Sequence, residues 1–309
     1  MRQETTTETF GQEAMNKRSG KIVRVFPRRT NATPDDAYAF IGEPDFSKLP
    51  TDIAEVHISV AFTWDLSRAG ELAALWRKVA PVKIGGPATG TRGEHFTPSL
   101  YLKTGYVITS RGCPNRCWFC SVPKREGNTV RELPIQEGWN ILDDNLLACS
   151  ESHIRSVFAM LSRHKNQTKN RPQFTGGLEA AKLKLWHVEL LKELRPKQMF
   201  FAFDTPEDLP ALEEVVKLFS AADYGTRNNL RCFVLVGYPG DSFQFAEHRL
   251  RTVMRMGFCP MAMLYRNDSG ATTLEWRRFQ EIWARPAMIY ASSRSVDSRS
   301  SLNQAEIKE

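Results

Sequence analysis

Three cysteines fall within eight residues, in the run Cys113-Pro-Asn-Arg-Cys117-Trp-Phe-Cys120. Clustered free thiols are uncommon unless metal or redox chemistry requires them. A C-x3-C-x2-C loop can wrap three thiolates around one face of a cubane cluster, and it leaves the fourth iron without a protein ligand. That iron is a place to do chemistry. Electron-transfer [4Fe–4S] sites normally take four cysteines, and a structural zinc site is closed by a fourth Cys or His at short spacing. No histidine lies between Cys120 and His153. Cys149, Cys232 and Cys259 are scattered in apolar surroundings and read as core.

The cysteine loop follows the apolar run Tyr106-Val107-Ile108, the first of a series. Further runs are Trp139–Leu142, Gln173–Phe174, Met199–Phe203, Cys232–Val236 and Met261–Tyr265. Helical patterns separate them, such as Ile154, Val157, Phe158 and Leu161, or Phe243, Ala246, Leu250 and Val253, each at the three-to-four-residue step of a buried face. Six strands with intervening helices predict a parallel sheet, curved by right-handed crossovers into an open barrel. A last helix, from about Thr273 to Trp283, closes one edge and stops at Arg285-Pro286.

Ligands of parallel α/β barrels sit at the carboxyl ends of the strands. Beyond the cysteine loop, those ends carry Asp143-Asp144-Asn145, then Thr175-Gly176-Gly177-Leu178-Glu179, then Asp204-Thr205, then Gly237-Tyr238-Pro239-Gly240-Asp241, and finally Arg266. Simpler tasks exist for each. Asp143 and Asp144 could cap the helix near Ser152, and the glycines could only make turns. Lys124, Arg125, Arg131 and Arg266 are candidates for a carboxylate or phosphate, Arg266 foremost.

The cysteine loop and this succession of strand ends resemble the radical S-adenosylmethionine (SAM) superfamily, in particular the subgroup with a cobalamin-binding-like N-terminal domain, from about Glu55 to Arg266. The resemblance implies an α/β fold with a partial (β/α)6 barrel, preceded here by a small parallel α/β layer. It implies one [4Fe–4S] cluster on Cys113, Cys117 and Cys120, and SAM chelated by the open iron. Phe119 would pack near the adenine. Asp143-Asp144-Asn145 would hold the methionyl ammonium, with Gly176-Gly177 and Glu179 as the competing alignment. Asp204 would accept from the ribose, and Gly237 to Gly240 would let the backbone approach the adenine. A reductant protein such as flavodoxin or ferredoxin is the implied partner, and the substrate (RNA, peptide or small molecule) is left open. Methylthiotransferases share the layout but need three cysteines before the SAM loop, and none precedes Cys113.

Four regions are expected: a disordered arm over 1–19, the α/β layer over 20–97, the barrel over 98–290, and a disordered tail over 291–309. In the layer, Lys21–Phe26, Val56–Phe62 and Val82–Ile84 read as strands and Leu66–Val79 as a helix, so at most three strands are expected. A corrinoid site needs about five. The segment Asp65-Leu-Ser67-Arg-Ala-Gly70 has Ser67 where a cobalt-binding histidine would stand, and its Asp or Ser reads as a helix cap. Bound cobalamin is therefore not expected.

Over 309 residues, hydrophobic residues make up 41% and charged residues 25%, ordinary values for a globular protein. The formal charge of +7, from 42 basic and 35 acidic residues, is spread too thinly to mark a nucleic-acid binder. Only Lys17, Arg18, Lys21, Arg24, Arg28 and Arg29 concentrate it, read as a solvated basic arm ahead of an RNA or phosphate contact. No apolar run reaches the ~20 residues of a membrane span, and a cytoplasmic protein is expected. A cluster-bearing sensor without turnover and a zinc-stabilised interaction module are the readings from other classes.

Overall fold

The computed structural model describes residues 21–90, 98–225, 229–267 and 269–284. The expected arm and tail, Lys17 and Arg18, and the Arg285-Pro286 stop lie outside them. The chain divides into two compact units, one holding Asp35–Thr89 with the residues up to Thr30, the other Asn31–Pro34 with the residues from Gly90 onward.

The first unit contains β1 (Lys21–Phe26), β2 (Ala39–Ile41), β3 (Ile53–Ser59), α1 (Leu66–Trp76) and β4 (Val82–Gly85). All pairings are parallel, in the order β2-β1-β3-β4. Alternation along the strands turns Val23, Val25, Val56 and Ile58 to one face, where they pack with Ala69, Leu72, Ala73 and Trp76 of α1. The expected count of three strands is corrected to four: β2 is a three-residue strand, too short to show a period. Strand order reverses between β1 and β3, the topological switch point at which doubly wound sheets bind ligands. Just past β1, Arg28 pairs with Asp65, Nε to Oδ2 at 2.6 Å and Nη2 to Oδ1. Asp65 therefore makes no side-chain cap on α1, contrary to expectation.

The second unit holds α2 (Pro98–Tyr101), β5 (Tyr106–Val107), β6 (Ser110–Arg111), α3 (Val122–Glu126), β7 (Arg131–Glu132), β8 (Asn140–Ile141), α4 (Glu151–Thr168), β9 (Gln173–Phe174), α5 (Leu185–Leu194), β10 (Gln198–Ala202), α6 (Leu209–Ala221), β11 (Leu230–Val236), α7 (Phe243–Arg255), β12 (Cys259–Leu264) and α8 (Leu274–Trp283). Six strands form one sheet in the order β12-β11-β10-β9-β8-β5, every neighbour parallel. All six expected apolar runs are its strands. Their buried residues, among them Val107, Ile141, Phe174, Phe201, Val234 and Ala262, join one core with the buried faces of α4 to α7. The ladder is uneven: β5, β8 and β9 are two residues long, whereas β10 to β12 run five to seven.

Candidate cluster and cofactor site

The cysteine loop leaves the sheet through a narrow neck. β6 and β7 pair antiparallel, Ser110 opposite Glu132 and Arg111 opposite Arg131, so both ends of the loop are tied together. Gly112 opens it at φ +90°, where a Cβ would collide with the Thr129 carbonyl oxygen, so the chain can pass there only as glycine. Within the loop the Cys120 amide donates to the Cys117 carbonyl at 3.0 Å. α3 then buries Glu126, which accepts from Arg125 Nε at 3.1 Å and Arg131 Nη2 at 2.6 Å. Arg125 and Arg131, candidate anion ligands by sequence, are thus partners of internal carboxylates, while Lys124 is exposed.

The acidic run after β8 staples this neck to the sheet. Asp143, 1% exposed, accepts from the Thr109 amide at 2.6 Å, from Thr109 Oγ1 at 2.6 Å and from Ser110 Oγ at 2.8 Å. Burial nevertheless raises its pKa above the ordinary carboxylate value. Asp144 accepts from the Gly112 amide at 2.9 Å and from Arg125 Nη2 at 3.1 Å. Neither caps α4, because Ser150 does, its hydroxyl accepting from the His153 amide at 3.2 Å. Both oxygens of Asp143 are engaged by donors at the exit of β5.

Asn145 closes the run differently. Its Nδ2 donates to Cys113 Sγ at 3.3 Å and to Glu179 Oε2 at 2.6 Å. The Gly176-Gly177 run therefore stands beside the acidic run. Gly176 is exposed, its amide donates to Ile141 O at 2.9 Å, and a Cβ on it would lie 2.8 Å from the Leu142 carbonyl carbon. The two alternatives for the ammonium meet at one wall, next to Cys113.

On the far side of the sheet, Asp204 accepts from the Leu235 amide at 2.9 Å, and burial lifts its pKa to about 6. Burial also pushes the Cys117 thiol up, followed by the neighbouring thiols of Cys120 and Cys113 and the carboxylates of Asp204 and Asp208. Gly237, at φ +73°, donates its amide to Asp241 Oδ2 at 2.9 Å. Asp241 is held in turn by Arg249 Nη2 at 2.9 Å. Gly240, at φ +88°, has open space where a Cβ would stand. Arg266, two residues past β12, is half-buried and engaged within the protein.

Sequence reasoning singled out Phe119 but not its neighbour. Trp118 meets Phe119 at 5.4 Å between ring centroids, Tyr238 at 5.7 Å and Tyr265 at 5.6 Å. It is 55% exposed, an unusual position for so large an apolar side chain. Aromatic residues following β11 and β12 were the available signal.

The donor set suits a cluster. Cys113, Cys117 and Cys120 are free thiols on one loop, and the enclosed Asn145 amide points at the Cys113 sulfur, a contact that tunes iron–sulfur centres. Among the described residues no three of His, Cys, Asp or Glu are placed to hold a single metal ion. A cubane assigns each thiolate its own iron and needs no such convergence.

No family model matches the chain, and no curated protein matches it. Among solved structures it is similar to the radical S-adenosylmethionine methyltransferase TsrM from Kitasatospora setae, determined with cobalamin and a [4Fe-4S] cluster bound. Identity is 12%, over 81% of this chain and 76% of that one, and the TM-score is 0.57. The fold is of the radical SAM type. At that identity the likeness concerns the partial barrel and its α/β architecture. Among the described residues no helix of this radical SAM-type fold is long and apolar enough to cross a membrane.

Proposed function

We propose that this protein is a radical SAM enzyme, with one [4Fe–4S] cluster on Cys113, Cys117 and Cys120. The observation that carries the reading is the meeting of three strand ends: the loop after β5 brings Cys113 against Asn145 after β8, which is bonded to Glu179 after β9. One thiol of the three, the accessible Gly176-Gly177 backbone and a carboxylate thus lie along one wall, as an iron-bound amino acid moiety would need. A cluster held by Cys113, Cys117 and Cys120 would supply the one-electron reduction of SAM, drawn from an external reductant, that breaks the C5′–S bond and releases methionine and a 5′-deoxyadenosyl radical.

The chain's own residues divide the remaining work. Glu179, with the backbone of Gly176 and Gly177, holds the ammonium, while Asp143 and Asp144 fix the loop. Asp204 and the Gly237–Gly240 turn receive the nucleoside, and Phe119 with Trp118 excludes water from it. The proposed partner is a small one-electron carrier of the flavodoxin or ferredoxin kind. The test is anaerobic reconstitution, reduction with dithionite and addition of SAM. 5′-Deoxyadenosine and methionine should accumulate together; a brown protein that leaves SAM intact would make it a cluster-bearing sensor, and a colourless, zinc-loaded one an interaction module.

Corrinoid-dependent methyl transfer is the second reading. The four-stranded order β2-β1-β3-β4, with its switch point, favours it, as does the cobalamin bound in TsrM. The switch point's own Arg28–Asp65 pair weighs against it, and the lack of a histidine at Ser67 decides little, since base-off corrinoid binders do without one. Equilibrium dialysis with hydroxocobalamin decides, stoichiometric uptake establishing the corrinoid.

A further inference from the structure

We infer that Asn145 sets the reduction potential of the cluster, an inference that rests on the radical SAM reading. Asn145 is 4% exposed, and its single amide nitrogen serves two acceptors, Cys113 Sγ at 3.3 Å and Glu179 Oε2 at 2.6 Å. An ionised carboxylate and a thiolate can only accept, so the nitrogen, not the oxygen, must face both. The orientation of the amide is therefore fixed by chemistry. Asn145 Oδ1, by contrast, is enclosed and meets no donor among the described residues. A side chain that leaves a buried acceptor unpaired, which is costly, is placed for its donors.

The backbone holds it there. The two preceding residues are bonded to Thr109, Ser110 and Gly112, so the strand end carrying Asn145 is tied to the segment that leads into Cys113. Reduction adds negative charge to a cluster and its sulfurs. A hydrogen bond donated to a ligating sulfur stabilises that added charge and raises the potential. Burial strengthens the effect, because little water reaches the bond to screen it. Glu179 works against it from the other side, competing for the same nitrogen. Asn145 is thus a tuning residue, distinct from the groups that contact SAM.

The experiment compares the reconstituted full chain with Asn145→Leu, which matches the shape without a donor or a charge, and Asn145→Ala, which removes the side chain beyond Cβ. Midpoint potentials are measured by electron paramagnetic resonance during anaerobic redox titration, at equal iron and sulfide content. Both variants should be harder to reduce by roughly tenfold in the one-electron equilibrium, about 59 mV. Loaded variants with the wild-type potential would overturn the inference, as would loss of the cluster from both, which would make Asn145 a structural prop. A wild-type protein that takes up no iron or sulfide would instead defeat the reading beneath it.

Discussion

The ring of Trp118 lies 5.6 Å from that of Tyr265. Trp118 belongs to the loop after β5 and Tyr265 follows β12, and these are the two edge strands of the six-stranded sheet. The pair therefore spans the gap of an open barrel across its mouth. With Tyr238 as a third ring, a side chain from one edge rests on loops from the other.

Replacing Trp118 with alanine should loosen that bridge. Aromatic pairs contribute ~0.5–1.5 kcal/mol each beyond their buried area, and a half-exposed ring realises the lower part of the range. Amide exchange at Tyr238–Gly240 and in the cysteine loop should quicken by about tenfold, while β10 and β11 keep their protection. Unchanged exchange at the mouth would show that the rings touch without holding it.

Gly112→Ala should unseat the cysteine loop. The new Cβ would demand a left-handed backbone and collide with Thr129, costing about 2 kcal/mol or more. Gly70→Ala is the counterpart: Gly70 lies within α1 with nothing near its Cβ position, and alanine there should add about 0.5–1 kcal/mol. Urea unfolding of the two proteins should move in opposite directions.

Arg249→Met should destabilise strongly. The Asp241 side chain is 0% exposed and Arg249 8%, and Arg249 Nη2 also donates to Leu235 O at 2.8 Å. Removing one partner strands a buried charge, at about 3–5 kcal/mol. The double variant with Asp241→Asn should recover part of the loss, and thermal melts of the three proteins would reveal a lack of coupling if the effects simply add.

His187 gives the protein an acid-side weakness. Its Nδ1 accepts from the Lys184 amide at 2.9 Å, which requires a neutral ring, and burial followed by Lys184 lowers its pKa to about 4. Between pH 6.5 and 4 the unfolded chain holds a proton that the folded one does not, so the stabilisation is complete above about pH 6.5 and is lost as pH falls toward 4. Screening limits the effect to about 2 kcal/mol or less. His187→Asn should flatten the dependence of the urea midpoint on pH over that interval; a slope equal to wild type would assign it to other groups.

The barrel strands were legible because each is a short apolar run bounded by helical periodicity, and parallel strands buried on both faces have that signature. β2 was not, since three residues carry no period and its place depends on pairing with β1. The cysteine loop stood out by its spacing, whereas the chemistry expected of it came from the resemblance to radical SAM enzymes. The tasks of Asp143 and Asp144 could not be read, because their partners at Thr109, Ser110 and Gly112 lie 32 to 34 residues away and exist only once β5 and β8 are adjacent. Arg249 was hidden for a related reason: a cation on the buried face of α7 makes sense only with Asp241, which precedes the helix.

The uneven ladder divides the six-stranded sheet into halves of unequal backbone pairing. β10, β11 and β12 share long runs of paired backbone, whereas β5, β8 and β9 meet through two residues each and rely on side-chain staples. Regions held by fewer backbone bonds open at lower free energy than the global transition. The long-stranded half can thus stay paired while the half that bears Cys113, Cys117 and Cys120 parts and recloses, so that solvent reaches the three thiols without the sheet unfolding as a whole.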